Sequence, residues 1–429
     1  MWEFPEPVSV VVDRDPRRRR TRGIIAAVVT VLVIVAVGAY SALALLAPLA
    51  PASATAAEPS VEVPGAVELR IPYTGSSAVS VSGASDFPAT EGVDGILATG
   101  GDQGARPIAS ITKLVSALVI LNAHPLAAGE DGPTLTFSKA DADLYDEYYV
   151  MGASIQPMKA GSRMTLHDAL EMMLVASATN YADAVSGWAL GSQGSFRAAT
   201  QEWLAANGLA NTTIVEPTGV DAANTSTPAD LIALGRIALA NPVIAEIVQN
   251  LRLDVAGMDP VPNTNPLLGQ YGVTGLKTGT TEEAGACLLY SARRDVGPGT
   301  SITVVGAVLG GGTRNSVGGE VVSLLDSITE GFHLLRVVQD EEALGTYTTP
   351  WGDEATVVAA EGASLLTWSD TPVTASVDLK TITTAGDGEE VGTATFVAGS
   401  QTVTVPLVLD GTIGEPDAWW RLTHPAELF

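Results

Sequence analysis

Cysteine is nearly absent, with Cys287 alone in 429 residues. One thiol excludes an intrachain disulfide framework and any cysteine-built zinc site, and Cys287 reads as a small apolar residue in a buried strand. Histidine is scarce too: His124, His167, His333 and His424 show no ligand spacing, so no metal site is read and no cofactor is expected. Gly and Pro are spread along the chain without a repeat, and a hydrophobic content of 46% excludes general disorder. Basic charge is also short. The first fifty residues hold six of the 22 basic and four of the 48 acidic residues, which leaves 16 against 44 beyond them, a net of −28. Such a surface repels nucleic acid and offers no polybasic patch to membrane lipid.

What the chain does have begins at the N-terminus. Arg17, Arg18, Arg19, Arg20 and Arg22 precede an uncharged run from Gly23 to about Ala50, rich in Val, Ile, Leu and Ala. The run exceeds the apolar core of a signal peptide and is long enough to span a bilayer. The positive-inside rule keeps the tail, residues 1–22, in the cytoplasm and exports everything after residue 50. This reading makes the protein a single-pass cell-membrane protein with its folded part extracytoplasmic. A cleaved signal peptide is the alternative, because Ala52-Ser53-Ala54 could serve a peptidase.

Lysine is rare, which makes the position of each one informative: there are five. Ala109-Ser110-Ile111-Thr112-Lys113-Leu114 is a small-residue turn running into an apolar helical pattern. Lys113 falls three residues after Ser110 on one helix face. A serine hydroxyl needs a base to become a nucleophile, and a desolvated, deprotonated lysine at that spacing can be it. Alone, the S-x-x-K spacing is a weak signal. A second lysine, Lys277, stands in Gly275-Leu276-Lys277-Thr278-Gly279-Thr280. Two of five lysines thus occupy the two lysine motifs of one enzyme superfamily, in order.

The remaining chain reads as helices and strands around these motifs. Residues 51–63 form an Ala/Pro/Ser linker. Helices are expected over Ser110–Asn122, from Thr165 (with Thr165 and Asp168 as a cap), over Tyr181–Leu190 and Ser195–Asn207, from Thr227-Pro228 to Ala240, and over Val243–Gln249. Strands Ala286–Ala292 and Ile302–Leu309 form a hairpin, and a helix over Gly319–Val338 packs on their sheet. From about Val338 short alternating runs indicate a small all-β domain.

Several stretches together resemble the low-molecular-mass penicillin-binding proteins that are D-alanyl-D-alanine carboxypeptidases, serine peptidase family S11. They are Pro107 to Lys113, Glu216-Pro217-Thr218-Gly219-Val220-Asp221 with Ser226-Thr227 and Asp230-Leu231, Asn265 to Leu268, Gly275 to Thr280, and Ala284-Gly285-x-Cys287-Leu288. The resemblance runs from about residue 78 to the C-terminus, where Trp419-Trp420-Arg421 ends a β-rich tail similar to the family's variable C-terminal domains. It implies an α/β (α+β) serine β-lactamase/transpeptidase-like domain, an antiparallel sheet with a helical lobe, over residues 64–337. A C-terminal β domain (338–429) follows it, and a transmembrane anchor (23–50) and the linker (51–63) precede it.

The resemblance also implies an activity: removal of the terminal D-alanine from peptidoglycan pentapeptide stems through an acyl-enzyme, with β-lactams acylating the same serine. Ser110 would be the nucleophile, Lys113 its base, and Ser177 a proton relay. Lys277, Thr278, Gly279 and Thr280 would line the substrate strand, Lys277 and Thr278 would hold the terminal carboxylate, and Arg314 would assist them unless engaged in an exposed salt bridge. The chain departs from the family at its second motif, Ser-x-Asn. Here Ser177-Ala178-Thr179-Asn180 puts Thr179 at the asparagine position, unless Asn180 substitutes through a local shift. The expected consequence is reduced activity or altered substrate choice. Two other readings stay open: a catalytically weak relative that binds cell wall as a scaffold, and a class A β-lactamase with Glu216 as the deacylation base.

Overall fold

The computed structural model describes residues 2, 16–83, 87, 92, 95–255 and 259–429. The expected cytoplasmic tail therefore lies mostly outside the described residues. Helix α1 (Pro16–Leu46) contains the apolar run, and none of its most apolar window is buried against protein. The 28 residues from Arg19 to Leu46 reach about 42 Å at helical rise, more than the ~30 Å of a bilayer core.

The stretch expected as a linker is partly structured. Strand β1 (Ser53–Ala56) pairs antiparallel with residues 345–348 of the C-terminal sheet, and Ala52 beside it is buried. Sequence reading missed this because four small residues carry no alternating apolar signal; the strand is held by backbone pairing to a partner about 290 residues away.

The central sheet has five strands: β2 (Ser76–Ser82), β3 (Ala98–Gly101), β4 (Val273–Thr281), β5 (Gly285–Gly297) and β6 (Thr300–Gly311), in the order β4-β5-β6-β2-β3. All neighbours are antiparallel. Both faces are covered, so successive residues of the central strands serve different cores. Leu289, Val305 and Ala307 face a helical lobe, while Leu288, Tyr290, Val304 and Val308 face the opposite layer.

The lobe holds α2 (Thr112–Ala123), α3 (Lys139–Val150), α4 (Leu166–Leu174), α5 (Thr179–Leu190), α6 (Gln193–Ala206), α7 (Pro228–Ala240) and α8 (Pro242–Ile247). Residues 112–121 of α2 are all buried, which makes it the lobe's central helix. The expected caps are present: Thr165 Oγ1 accepts from Asp168 N at 3.1 Å, and Thr227 Oγ1 from Asp230 N at 3.2 Å with Pro228 following. Helix α3 escaped the sequence reading because it buries only Tyr148 and so lacks an apolar stripe. Its start was nevertheless written in the Ser138/Asp141 capping box.

On the other face α9 (Arg314–Glu330) packs through Val317, Val321, Leu324 and Ile328. The expected helix over Gly319–Val338 is corrected at both ends. A Thr313–Ser316 capping box starts it earlier, and Phe332–Val338 is a strand, β7, paired with Ala363–Trp368. The β-branched and aromatic composition after Gly331 favours that extended state.

Beyond β7 the chain forms β8 (Ala343–Thr348), β9 (Glu354–Ala359), β10 (Ala363–Trp368), β11 (Val373–Leu379), β12 (Glu390–Ala398) and β13 (Gln401–Asp410). With β1 they make a six-stranded sheet, β1-β8-β9-β13-β12-β11, apart from β10, which pairs with β7. This region has its own core around Tyr347, Val357, Phe396 and Leu407. The terminal Trp-containing stretch, expected as β-like, is instead a short helix, α10 (Ala418–Thr423), capped by Asp417.

The β1 pairing yields a stability prediction. A chain beginning at Glu58 should unfold with about 2–4 kcal/mol less stability in its C-terminal sheet than one beginning at Pro51, for the lost ladder bonds. Urea unfolding followed through the sheet's fluorescence measures this, and identical midpoints would show that β1 contributes nothing.

Candidate active site

Ser110 sits in a single 3-10 turn, Ala109–Ile111, that feeds directly into α2. Lys113 Nζ lies 2.9 Å from Ser110 Oγ and 2.6 Å from the carbonyl oxygen of Thr218. Its side chain is fully buried, and that burial pulls the ammonium down to about 7, with the Glu216 carboxylate pulling the other way. Near neutral pH a large share of Lys113 is therefore a free amine, able to accept the proton of the hydroxyl beside it.

Two glycines bring other segments against the turn that carries Ser110. A side chain at Gly279 on β4 would meet Ile108 O at 2.8 Å and Ser110 N at 3.1 Å. One at Gly219, whose φ is +87°, would meet Ala109 O at 2.1 Å. Only a residue without Cβ lets either backbone approach so closely.

The 216–221 loop is organised from within. The Glu216 carboxylate accepts from Thr218 N, Gly219 N and Asn224 Nδ2, each at 2.7 Å. Those bonds aim the Thr218 carbonyl at Lys113, and Pro217 O accepts from Ser116 Oγ at 2.8 Å. With its lone pairs engaged in this way, Glu216 holds the loop and is poorly placed to serve as a free base for water.

The second motif lies between α4 and α5. Ser177 has φ +57°, a left-handed conformation that costs a non-glycine residue about 1–2 kcal/mol. Its Oγ accepts from Lys277 Nζ at 2.9 Å. Lys277 is buried as well, and desolvation, then repulsion from Lys113 and Arg314, holds its ammonium well below the ordinary lysine range. Thr179 lines the cavity beside Ser177. Asn180, considered as a substitute for the motif asparagine, is turned elsewhere: it is fully buried, its Oδ1 accepts from Gln156 N at 3.1 Å and its Nδ2 donates to Gln156 O at 2.8 Å. The helix pitch separates neighbours by about 100°, so only one of the two can face the cavity.

These groups meet in a cavity of about 740 Å³ whose wall includes Ser110, Ser177, Thr179, Thr278, Thr280 and Arg314. Lys113 and Lys277 lie behind that wall. Thr278 Oγ1 contacts Thr264 Oγ1 at 2.7 Å, and Arg314 Nε donates to Thr280 Oγ1 at 3.0 Å. Arg314 enters no ion pair among the described residues, so the exposed salt bridge weighed for it is absent.

Sequence reasoning missed Thr264, the cavity-lining Met151 and Ser154, and the acidic rim of Asp221, Glu282 and Glu283. Apart from Asp221, which closes the 216–221 stretch, none belongs to a motif, and tertiary contact brings them in. It also missed that His167, Asp168 and Glu171 on α4 bring ligand-type atoms within 4.8 Å of one another, outside the cavity wall. Cys287 is buried and its thiol is pushed up to about 11 by desolvation, consistent with its reading as an inert core residue.

A family model described as D-alanyl-D-alanine carboxypeptidase matches residues 90–310. A D-alanyl-D-alanine endopeptidase of Pseudomonas aeruginosa is 30% identical over 190 residues, 43% of this chain and 58% of the relative's length. A D-alanyl-D-alanine carboxypeptidase of Streptomyces sp. is 27% identical over 256 residues, covering 56% of this chain and 84% of that one. In three dimensions the crystal structure of the D-alanyl-D-alanine carboxypeptidase DacD from Francisella tularensis shares the fold, with a TM-score of 0.53 at 17% identity over 83% of this chain and 96% of its own. The family model spans more than half of the sequence and all of the Ser110, Ser177 and Lys277 segments, and the protein belongs to the D-alanyl-D-alanine carboxypeptidase family, peptidase family S11.

Proposed function

We propose that the protein is a serine-type D-Ala-D-Ala carboxypeptidase that trims the terminal D-alanine from peptidoglycan pentapeptide stems. The observation that carries this reading is the 2.9 Å contact between Ser110 Oγ and the buried Lys113 Nζ. Ser110 Oγ attacks the carbonyl carbon of the penultimate D-alanine while its proton passes to Lys113. The N–H groups of Ser110 and Thr280 receive the developing oxyanion. Collapse breaks the C–N bond, and the departing D-alanine amine takes a proton relayed through Ser177. Water, deprotonated by Lys113, then attacks the acyl carbon and releases the tetrapeptide, regenerating Ser110.

Lys277, Thr278 and Arg314 supply charge and hydroxyl for the substrate's terminal carboxylate. A carboxylate requirement favours trimming of chain ends over the endopeptidase activity named for the Pseudomonas aeruginosa relative. A β-lactam, which presents a carboxylate and a reactive carbonyl at matching positions, acylates Ser110 as a substrate mimic. The bonds that occupy Glu216 argue against a β-lactamase-type deacylation base. No cofactor enters this mechanism.

The same reading retains α1 as a single-pass anchor, with the catalytic part outside the cytoplasmic membrane. Retention is supported by the fate of the candidate cleavage site: Ala52 is buried and Ser53–Ala56 is paired in a sheet, where a peptidase needs an extended free strand.

Incubation of the full chain with a fluorescent penicillin should give a covalent adduct that mass spectrometry maps to Ser110, and the Ser110→Ala variant should give none. Label on another residue, or none at all with intact protein, would sink the carboxypeptidase reading. Because only the neutral amine can act as base, acylation should rise about tenfold per pH unit below about 7 and level off above it. A flat profile from pH 5 to 8, measured by stopped-flow, would remove Lys113 from the base role. Thr179 retains one hydroxyl where the family's asparagine offers an amide, so Thr179→Asn should speed acylation by about fivefold, the equivalent of one regained hydrogen bond. A variant no faster than the parent would show that the threonine costs nothing.

A further inference from the structure

The two ends of the chain meet at the outer end of α1. Tyr40 Oη donates to Leu422 O at 2.7 Å, and Arg421 Nη1 donates to Ala47 O at 2.9 Å and Leu45 O at 3.4 Å. Arg421 is buried, as are Ala44 on α1 and Ala47 just beyond its end. The last carbonyls of a helix have no intrahelical donors, and a guanidinium is a fitting partner for them. Helix α10 is in turn fixed to the C-terminal sheet. The Trp420 ring stacks on His424 with centroids 4.8 Å apart and meets Trp351 edge-on at 5.7 Å, and Trp351 Nε1 donates to Gly414 O at 3.1 Å.

This arrangement turns Arg421 and Trp420 inward and leaves the Trp419 ring outside. Trp419 and Phe429 are each 73% exposed, next to a helix whose Leu43 and Leu46 are 63% and 84% exposed. Those leucines belong to the apolar surface of the span, and α10, which carries Trp419, packs against the same end of that helix. Tyr40 lies six residues before the end of α1, about 9 Å along its axis. Its bond to Leu422 therefore sets α10 level with the last turns of the span, where the acyl chains give way to headgroups. Trp and Phe rings are well suited to that depth, the indole because its N–H stays hydrated while its ring leaves water.

We propose that residues 417–429 form an interfacial latch: Arg421 and Tyr40 lock α10 to the outer end of the anchor, and Trp419 and Phe429 enter the headgroup layer of the bilayer. The inference rests on α1 being retained as a span. Its physical role is orientation. A single span tethers the acidic outer part without fixing its tilt, and a net charge of −28 is repelled by anionic lipid. Two attachment points, a span and an aromatic wedge, hold the C-terminal sheet in one attitude.

The test uses the full chain, confirmed by intact mass as residues 1–429, in nanodiscs of phosphatidylcholine and phosphatidylglycerol. A fluorophore is placed at Trp419→Cys, at Phe429→Cys, and at Glu202→Cys on α6 as an aqueous reference, each in a Cys287→Ala background. The 419 and 429 labels should be quenched by headgroup-level spin-labelled lipid and be about fivefold less accessible to iodide than the 202 label. Equal iodide quenching at all three sites would overturn the proposal even though the anchor is present. Arg421→Ala should return the 419 label toward the accessibility of the reference while leaving penicillin acylation of Ser110 unchanged; undiminished shielding would overturn the latch. Loss of residues 1–50 from protein isolated from membranes would instead defeat the retained-anchor reading, so the two failures are distinguishable.

Discussion

The site depends on a lysine taken out of water. Lys113 is fully buried on the central helix of the lobe, and among the described residues its hydrogen bonds go to the Ser110 hydroxyl and the Thr218 carbonyl. An ammonium in such a place is costly, and the cost appears as a proton affinity lowered to about 7. The conditions that make Lys113 expensive to bury are the ones that make it a usable base. Neighbouring features follow from keeping it there. The Glu216 carboxylate folds the 216–221 loop so that one carbonyl reaches the amine, and Gly219 and Gly279 permit backbone to close over the nucleophile turn.

Lys277 repeats the theme on the other side of the cavity. It reaches Ser177 from a sheet strand, and burial, with repulsion from Lys113 and Arg314, holds its ammonium well below the ordinary lysine range. The sheet supplies one wall and the lobe the other, so the site lies at the seam between the lobe and the sheet. Neither layer contains it alone. Thr179 stands on the lobe side of that seam, beside Ser177 on the cavity wall.

The two ends of the chain are tied in a similar way. A short N-terminal strand completes the C-terminal sheet, and the C-terminal helix returns to the end of the N-terminal apolar helix. The folded part is therefore closed through contacts between segments nearly 400 residues apart, and the stretch that sequence composition marks as a flexible spacer is partly held in a sheet.

Much of this was written locally. Ser110 and Lys113 share a face because of helical pitch, the caps at Thr165 and Thr227 announce themselves by residue type, and Lys277 is marked by Thr278 and Gly279. The apolar run of α1 needs only its length to be read. Long-range contact decided the rest. The motif Ser177-Ala178-Thr179-Asn180 cannot by itself say which of Thr179 and Asn180 faces the cavity; the Gln156 backbone, supplied by a loop that precedes α4, claims Asn180 and leaves Thr179. Ser53–Ala56 is a strand only because the β8 edge is there to pair with it, and Trp419-Trp420-Arg421 is helical where Arg421 finds the carbonyls of α1. Sequence determines what a short segment can satisfy internally, whereas a polar group whose partner lies hundreds of residues away has its role assigned by the tertiary structure.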